Sequence, residues 1–187
     1  MSKRDDILRA TLHIVAREGI QSLTLSKIQK EAGVGSGTLY NYFFSKEELL
    51  VVLYKDTMDR MNSYLLDGLD TGCEVRVVFD TFVSRLLDYS IRYYDEFNFT
   101  EQYSFFMRDG QHTDEAMRIG AFFDVAIELF RRGQAQRIIK DLSATLLSRV
   151  VSGIIIAVAK SCYLKDLHLG KADRKAVVDT CWDAVKA

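Results

Sequence analysis

The sequence has no proline at any of its 187 positions. Proline interrupts helices because it lacks a backbone N–H and its ring clashes with the preceding turn. A chain without it is free to form long helices, and isolated glycines then mark where those helices stop. Such glycines stand at Gly19, Gly33, Gly133 and Gly170. The pattern predicts an all-α protein, and a hydrophobic content of 48% is enough for a packed core.

Between these breaks, apolar residues recur three or four positions apart, which is the spacing of one helix face. The spacing predicts about nine helices, near residues 3–17, 25–32, 36–42, 45–68, 74–94, 100–108, 114–132, 142–165 and 172–187. We therefore expect a three-helix N-terminal domain at residues 1–46, followed by an antiparallel helical bundle at residues 47–187.

The charges are distributed unevenly, although the net charge of the whole chain is only −1. Residues 1–46 carry seven Lys or Arg against four Asp or Glu, whereas residues 47–187 carry 18 against 22. A mildly basic N-terminal domain on an acidic body fits a module that approaches phosphate groups, but the asymmetry is small.

Three cysteines, Cys73, Cys162 and Cys181, are an odd number and lie far apart in the sequence. This favours free thiols in a reducing compartment over a disulfide framework. Cys162 and Cys181 fall on the last two predicted helices, which leaves a redox-sensing pair open as an alternative. The three histidines are scattered, so no metal site and no cofactor are predicted.

The first residues of the chain are charged and polar, unlike a secretory signal. The most apolar run, residues 150–159, is about half the length needed to cross a bilayer. We therefore expect a cytoplasmic protein with no membrane partner.

Two of the short predicted helices, 25–32 and 36–42, are joined by a tight turn that contains two glycines. This is the layout of a helix-turn-helix. In this motif the second helix protrudes, so that its residues reach base edges in the major groove of DNA. Ile28, Leu39 and Phe43 are apolar positions suited to lock the two helices together.

Helix starts in this region are marked as clearly as helix ends. Thr24 is a suitable N-cap for the first short helix. Residues 45–48 (Ser-Lys-Glu-Glu) have the pattern of a capping box that opens the next, long helix. Gly35 precedes the second short helix and is an acceptable N-cap, although it offers no side-chain hydrogen bond.

Residues 24–50, TLSKIQKEAGVGSGTLYNYFFSKEELL, resemble the DNA-binding region of the TetR (tetracycline repressor) family in a fixed register. One departure is Gly35, which stands where the family commonly has a polar capping residue. The resemblance implies a transcriptional regulator that binds a palindromic double-stranded DNA operator as a homodimer. It also implies a repressor that a small hydrophobic or aromatic effector releases from DNA, with no enzymatic activity.

The resemblance also implies a set of DNA-contacting positions. These are Thr24, Ser36, Gly37, Thr38, Tyr40, Asn41, Tyr42 and Lys46. Thr24 and Lys46 resemble positions that contact phosphate, whereas Tyr40 resembles a position that packs near bases.

The helix predicted at 142–165 is apolar nearly all round, so it must bury two faces. In a chain of this size, only one of them can meet the core. Together with the last helix, it is similar to the two-helix dimer face of the family. The resemblance implies an interface formed by Val151, Ile154, Ile155, Val158, Cys181 and Trp182.

The middle of the chain is rich in aromatic residues, and residues 103–107 (Tyr-Ser-Phe-Phe-Met) are apolar around much of a short helix. The resemblance implies a ligand-binding and dimerisation domain at 47–187. Its candidate ligand-binding residues are Tyr103, Phe106, Met107 and Phe123. The alternative from another class is a small helical enzyme or carrier that uses this pocket, although no nucleophile with a matching base is visible.

Overall fold

The computed structural model describes residues 2–109 and 120–187, with the side chains of residues 105–109 excepted. Within these ranges the chain forms nine α-helices and no β-strand. They are α1 (Lys3–Glu18), α2 (Leu25–Ala32), α3 (Ser36–Tyr42), α4 (Lys46–Leu66), α5 (Val75–Arg92), α6 (Tyr94–Asp109), α7 (Ala121–Ala135), α8 (Ala144–Tyr163) and α9 (Lys171–Val185). The predicted all-α class with about nine helices is confirmed.

The helix boundaries agree closely with the sequence pattern near the N-terminus. α2 and α3 begin and end at the predicted residues, because their caps are local. The prediction was wrong for α6, which begins at Tyr94 and not near residue 100. α5 ends at Arg92, so only Tyr93 separates the two helices, and no glycine marks the break. Residues 114–119 of the predicted seventh helix lie outside the described residues.

Both ends of α2 are closed by the residues that the sequence indicates. Gly33 has φ 62° and ψ 38°, a left-handed conformation that glycine adopts without strain. The following N–H of Val34 donates to the carbonyl of Gln29 at 3.0 Å. At the other end, the Thr24 hydroxyl accepts a hydrogen bond from the Lys27 N–H at 3.3 Å. A cap of this kind contributes about 1 kcal/mol to helix stability.

The chain divides into two compact units. The first contains α1, α2, α3, the part of α4 up to Arg60, and α6 from Asp95 onward. The second contains the rest of α4 together with α5, α7, α8 and α9. The functional boundary after residue 46 stays a prediction, because this division follows packing alone.

The first unit has one apolar core, to which α1, α2, α3, α4 and α6 contribute. Its buried side chains are Ile7, Leu8, Leu12, Ile14, Val15, Ile20, Leu23, Ile28, Leu39, Phe43, Leu49, Leu50, Leu53, Phe99 and Tyr103. Phe99 and Tyr103 come from α6, and their rings stack with centroids 5.5 Å apart. α6 therefore completes the core that supports the helix-turn-helix, although it follows α5 in the sequence.

In the second unit, α5 packs against α7, α8 and α9. Half of its residues are buried: Val75, Val78, Phe79, Phe82, Val83, Leu86, Leu87, Tyr89 and Ser90. The Trp182 ring of α9 meets Phe79 edge to face at 5.1 Å, and the Arg76 guanidinium lies 4.8 Å from the Trp182 ring centroid. α5 is the central helix of this unit.

Candidate nucleic-acid interface

α3 is seven residues long and buries only one of them, Leu39. Leu39 and Ile28 are both fully buried in the core of the first unit, and Phe43 joins them directly after the helix. The predicted apolar lock between α2 and α3 is therefore present. Because one side chain anchors so short a helix, its other side chains remain available to a partner outside the chain.

Most of the predicted DNA-binding residues are exposed. The exposed ones are Thr24, Ser36, Gly37, Tyr40, Asn41 and Tyr42, whereas Thr38 and Lys46 are half-buried. Tyr40 and Tyr42 are 48% and 44% exposed, so much of each side chain is available to a partner. The two aromatic residues that are predicted to contact DNA are therefore exposed.

The ammonium group of Lys46 is directed to the start of α2. Its Nζ donates to the Leu23 carbonyl oxygen at 3.4 Å, and Leu23 directly precedes the N-cap Thr24. The first turn of a helix offers unpaired backbone N–H groups and a partial positive charge. A lysine beside such a helix start is an arrangement suited to a phosphate group.

The start of α4 is held by two hydrogen bonds. The Ser45 hydroxyl accepts from the Glu48 N–H at 3.0 Å, as the predicted capping box requires. The reciprocal bond differs from the prediction, because the Glu48 carboxylate accepts from the Phe44 N–H at 2.7 Å. The link between α3 and α4 is consequently fixed on both sides of Ser45.

Sequence reasoning overlooked Phe44, whose side chain is 85% exposed. Its neighbour Phe43 is 2% exposed. A signal was present, because two consecutive phenylalanines in an extended link cannot both face the same core.

Two ion pairs tie α2 to α1. Lys27 Nζ lies 2.6 Å from a Glu18 carboxylate oxygen, and an Arg17 guanidinium nitrogen lies 3.2 Å from Glu31. The hydrogen bond from Lys27, together with its charge, lowers the pKa of Glu18. These exposed pairs contribute little to stability, and they engage two of the cations of the first unit.

α6 is attached to the end of α1 by Gln102. The Ile20 N–H donates to Gln102 Oε1 at 2.9 Å, and Gln102 Nε2 donates to the Val15 carbonyl at 3.4 Å. One amide side chain therefore satisfies a donor and an acceptor at the point where α1 ends. Asp95 Oδ2 lies 3.4 Å from His13 Nε2 and adds a second attachment, while burial raises the pKa of Asp95.

Of the four predicted ligand-binding residues, Tyr103 and Phe123 have described side chains, and they belong to different units. Tyr103 is 2% exposed, and its ring lies 4.9 Å from that of Tyr54 in the first unit. Burial raises the pKa of Tyr103 to about 12. The side chains of Phe106 and Met107 lie outside the described part of the chain. Phe123 lines a cavity.

That cavity lies in the second unit and has a volume of about 40 Å³. Its lining is dominated by phenylalanine: Phe79, Phe82, Phe122, Phe123 and Phe130, with Val83, Leu86, Ala126, Leu129 and Val151. Ser148 and Ser152 of α8 supply hydroxyl groups. The volume is far below the about 300–1,000 Å³ of typical ligand sites, so a ligand has to enlarge it on entry.

The predicted dimer residues divide by burial. Ile155 and Cys181 are 0% exposed and Val151 is 5% exposed within the chain, which leaves these three no surface to offer a partner. Ile154, Val158 and Trp182 are half-buried. α8 also exposes Leu146 and Val150, so an apolar surface does remain on it.

By length and composition alone, α8 could cross a membrane, and 28% of its most apolar window is buried. A single helix of this kind is weak evidence for insertion, because helices that pack inside globular proteins pass the same test.

The three cysteines are free thiols. Burial raises the pKa of Cys181 to about 11, which keeps this thiol protonated and unreactive near neutral pH. Cys162 is half-buried and Cys73 is exposed.

The protruding α3, its buried anchor and the helix starts suited to phosphate define a helix-turn-helix protein of the class of DNA-binding transcriptional regulators. The chain belongs to the TetR family. The family model described as "Bacterial regulatory proteins, tetR family" matches residues 7–53 of the sequence. The family model described as "Tetracyclin repressor-like, C-terminal domain" matches residues 54–187.

Individual relatives match over the N-terminal part. The fatty acid metabolism regulator protein of Bacillus subtilis is 42% identical over 52 residues, which are 28% of this chain and 27% of that protein. The transcriptional repressor KstR2 of Mycolicibacterium smegmatis is 33% identical over 71 residues, 38% of this chain and 35% of that repressor. The matched regions thus span well under half of the length of these relatives.

Solved structures match over the whole chain. A TetR family regulator from Marinobacter aquaeolei has a TM-score of 0.78 at 24% identity, covering 98% of this chain and 95% of the other. The ketosteroid transcriptional regulator KstR2 of Mycobacterium tuberculosis has a TM-score of 0.75 at 15% identity, covering 100% and 96%. The fold is therefore shared along the full length, beyond the region of sequence similarity.

Proposed function

We propose that this protein is a homodimeric repressor that binds a palindromic operator in the cytoplasm and leaves it when a small apolar effector binds. The observation that carries the proposal is α3, a helix anchored by Leu39 alone that exposes two tyrosines. Two such short helices, one from each copy, would read half-sites about 34–36 Å apart.

The proposed DNA contacts are of two kinds, contacts with phosphate groups and contacts with bases. We assign phosphate contacts to Thr24, which caps the start of α2, and to Lys46, whose ammonium group reaches the Leu23 carbonyl just before that cap. We assign base contacts to Tyr40, Asn41 and the N-terminal residues of α3, which are exposed on the helix expected to enter the major groove. Phosphate contacts position the protein, whereas base contacts discriminate between sequences.

The dimer is proposed to form through α8 and α9. Leu146 and Val150 are 51% and 39% exposed on α8, and Ile154 and Val158 are half-buried along the same helix. These residues are four apart, so they share one helix face. An apolar stripe of four such residues would be covered by the same stripe of a second copy across a two-fold axis.

The effector is proposed to occupy the phenylalanine-lined cavity. Among the described residues that line it, none is charged, and Ser148 and Ser152 provide the polar groups. This composition favours an apolar molecule with one hydrogen-bonding group. The names of two similar proteins, a fatty acid metabolism regulator and a ketosteroid regulator, refer to compounds of this chemistry.

We propose that α4 carries the signal, because it is the long helix that has several residues in both units. α6 lies in the first unit apart from Tyr94 and is attached to the end of α1 through Gln102. A coupling of about 1–3 kcal/mol between effector and DNA suffices for a 5–150-fold change in operator affinity.

The test begins with selection of binding sites from random duplexes by the purified protein. We expect a two-fold symmetric sequence that the protein binds more than about 10³ times as tightly as scrambled duplex. Titration of the complex with long-chain fatty acids and with sterols should then release the DNA. Equal binding to all selected and scrambled duplexes would refute the proposal that the protein recognises an operator. Release by polar compounds alone would refute the proposal that the effector is apolar.

A further inference from the structure

One large apolar side chain beside α3 takes no part in the core. Phe44 is 85% exposed, whereas the next most exposed large apolar residue in the described part of the chain, Leu164, is 55% exposed. Isolated apolar residues are common on protein surfaces and usually need no explanation. Phe44 differs because the surrounding backbone holds it in place.

The backbone on both sides of Phe44 is fixed. Phe43 closes α3 with its N–H donating to the Leu39 carbonyl at 3.0 Å, and its side chain is buried in the core. The Phe44 N–H itself donates to the Glu48 carboxylate at 2.7 Å. Phe43 is extended, with φ −143° and ψ 118°, so consecutive side chains point to opposite sides. The outward direction of Phe44 thus follows from the burial of Phe43.

The ring of Phe44 does not serve the start of α4. The apolar residue directly before an N-cap often packs on the fourth residue of the helix and so fixes the direction of the chain. Here these two residues would be Phe44 and Leu49. Leu49 is 0% exposed and belongs to the core of the first unit, whereas Phe44 is 85% exposed and is not a member of that core. Most of the Phe44 ring is therefore free to meet a partner outside the chain.

Phe44 is continuous with the surface assigned to DNA. It lies two residues after Tyr42, which ends α3, and two residues before Lys46, which begins α4. Tyr40 and Tyr42 are also exposed, so aromatic rings accompany this segment from the recognition helix to the phosphate-binding lysine.

We propose that Phe44 is a further DNA-contacting residue, whose ring packs against deoxyribose in the operator backbone beside the phosphate assigned to Lys46. The proposal rests on the DNA-binding function proposed above. The sugar is the apolar part of the backbone and carries no sequence information. A phenyl ring releases no counterions when it binds, so its contribution differs from that of a lysine in being independent of salt.

The test compares Phe44→Ala and Phe44→Leu with wild type, by fluorescence anisotropy on selected operator and on scrambled duplex at several salt concentrations. Val77→Ala is the matched control, since Val77 is 51% exposed on α5 in the second unit. Phe44→Ala should weaken binding to both duplexes by about 5–20-fold, the effect of losing most of a buried phenyl ring. The slope of log K against log salt should not change, and Phe44→Leu should retain most of the affinity.

The outcomes separate this proposal from the one on which it rests. If wild type binds no duplex specifically, the proposed function fails, and this proposal with it. If wild type binds and Phe44→Ala binds equally well, Phe44 is no DNA contact, while the function stands. Loss on operator alone would indicate a base contact and overturn the assignment to the sugar. A change in sedimentation without a change in affinity would instead make the ring a contact between two copies of the chain.

Discussion

α3 has seven residues and buries one of them, whereas α8 has twenty and buries five. The exposed side chains of α3 are those of Ser36, Tyr40, Asn41 and Tyr42, all polar or aromatic, and the helix is capped by Gly35 and Phe43. α8 exposes Leu146 and Val150 beside polar residues, with nothing local to say which face meets the chain's own core. A short anchored helix thus indicates its role through the residues it exposes. The sequence of a long apolar helix predicts a partner, without identifying the side that would meet it.

The sharpest test of this comparison uses neighbouring residues on α8. Ile155 is 0% exposed, so Ile155→Asp would bury an unpaired charge and should destabilise the fold by about 3–5 kcal/mol. Ile154 is half-buried, so Ile154→Asp should preserve the fold and separate the dimer. Thermal melting with analytical ultracentrifugation distinguishes the two, with wild type sedimenting at twice the chain mass of 21.4 kDa. A monomeric wild type would contradict the proposed dimer.

On α3, Tyr40→Ala should reduce the preference for operator over scrambled duplex by about 1–3 kcal/mol, because the tyrosine is expected to meet base edges. Its stability should remain that of wild type, since the ring is 48% exposed. Binding isotherms on both duplexes measure the preference. An equal loss on the two duplexes would assign Tyr40 to the backbone.

The attachment of α6 to α1 offers an intermediate effect. Gln102→Ala leaves the Ile20 N–H and the Val15 carbonyl without this partner and should cost about 1–2 kcal/mol. The melting temperature should fall by about 2–8 °C. Gln102→Glu keeps the acceptor for the Ile20 N–H, so its melting temperature should fall less. Gln136→Ala, at an exposed position, serves as the control. Equal melting temperatures for all three variants would show that this attachment is dispensable.

Lys46→Ala should weaken binding to every duplex alike. Removal of one phosphate contact makes the slope of log K against log salt shallower by about 1. Anisotropy titrations from low to high salt give the slope. The same slope as wild type would place Lys46 away from phosphate, bonded to the Leu23 carbonyl only.

The smallest effect is expected at the cysteines. Replacement of Cys162 by Ser and Cys181 by Ala should leave operator affinity equal under oxidising and reducing conditions. The folded-state pKa of Cys181, about 11, exceeds the ordinary value of 9.0, so its stabilising contribution is complete below pH 9 and declines as the pH rises towards 11. Iodoacetamide at pH 8 should accordingly modify Cys73 long before Cys181, as mass spectrometry can show. Oxidation that releases wild type but not the double variant would favour the redox alternative.

The sequence predicted best what depends on adjacent residues. Thr24, Gly33 and Gly35 determine the ends of α2 and α3 within one turn, and both helices lie where predicted. Tyr103 is predicted to bind ligand because its helix is rich in aromatic residues, and that role stays a prediction. Such density does not reveal which neighbouring helix covers the ring, and here α4 does, through Tyr54.

The choice of interface residues on α8 was limited in the same way, because the sequence does not show which neighbour covers each side chain. Because apolar residues lie around the whole circumference of α8, their spacing does not show which face meets the core. Val151 and Ile155 could therefore not be distinguished from Ile154 and Val158 by sequence alone. Burial in the structure makes that distinction. The break between α5 and α6 was not predicted because it falls at Tyr93, with no glycine or proline to mark it.

The contribution of α6 to the first core has a consequence for how the protein is made. Phe99 and Tyr103 are synthesised well after residue 53, where the match to the N-terminal family model ends. While the ribosome is still producing α5, the nascent helix-turn-helix exposes the apolar surface that these two rings later cover. Closing this core requires a contact across some eighty residues, between Ile20 and Gln102, and such long loops are slow to close. The newly made segment therefore reaches its final packing only after translation has passed α6.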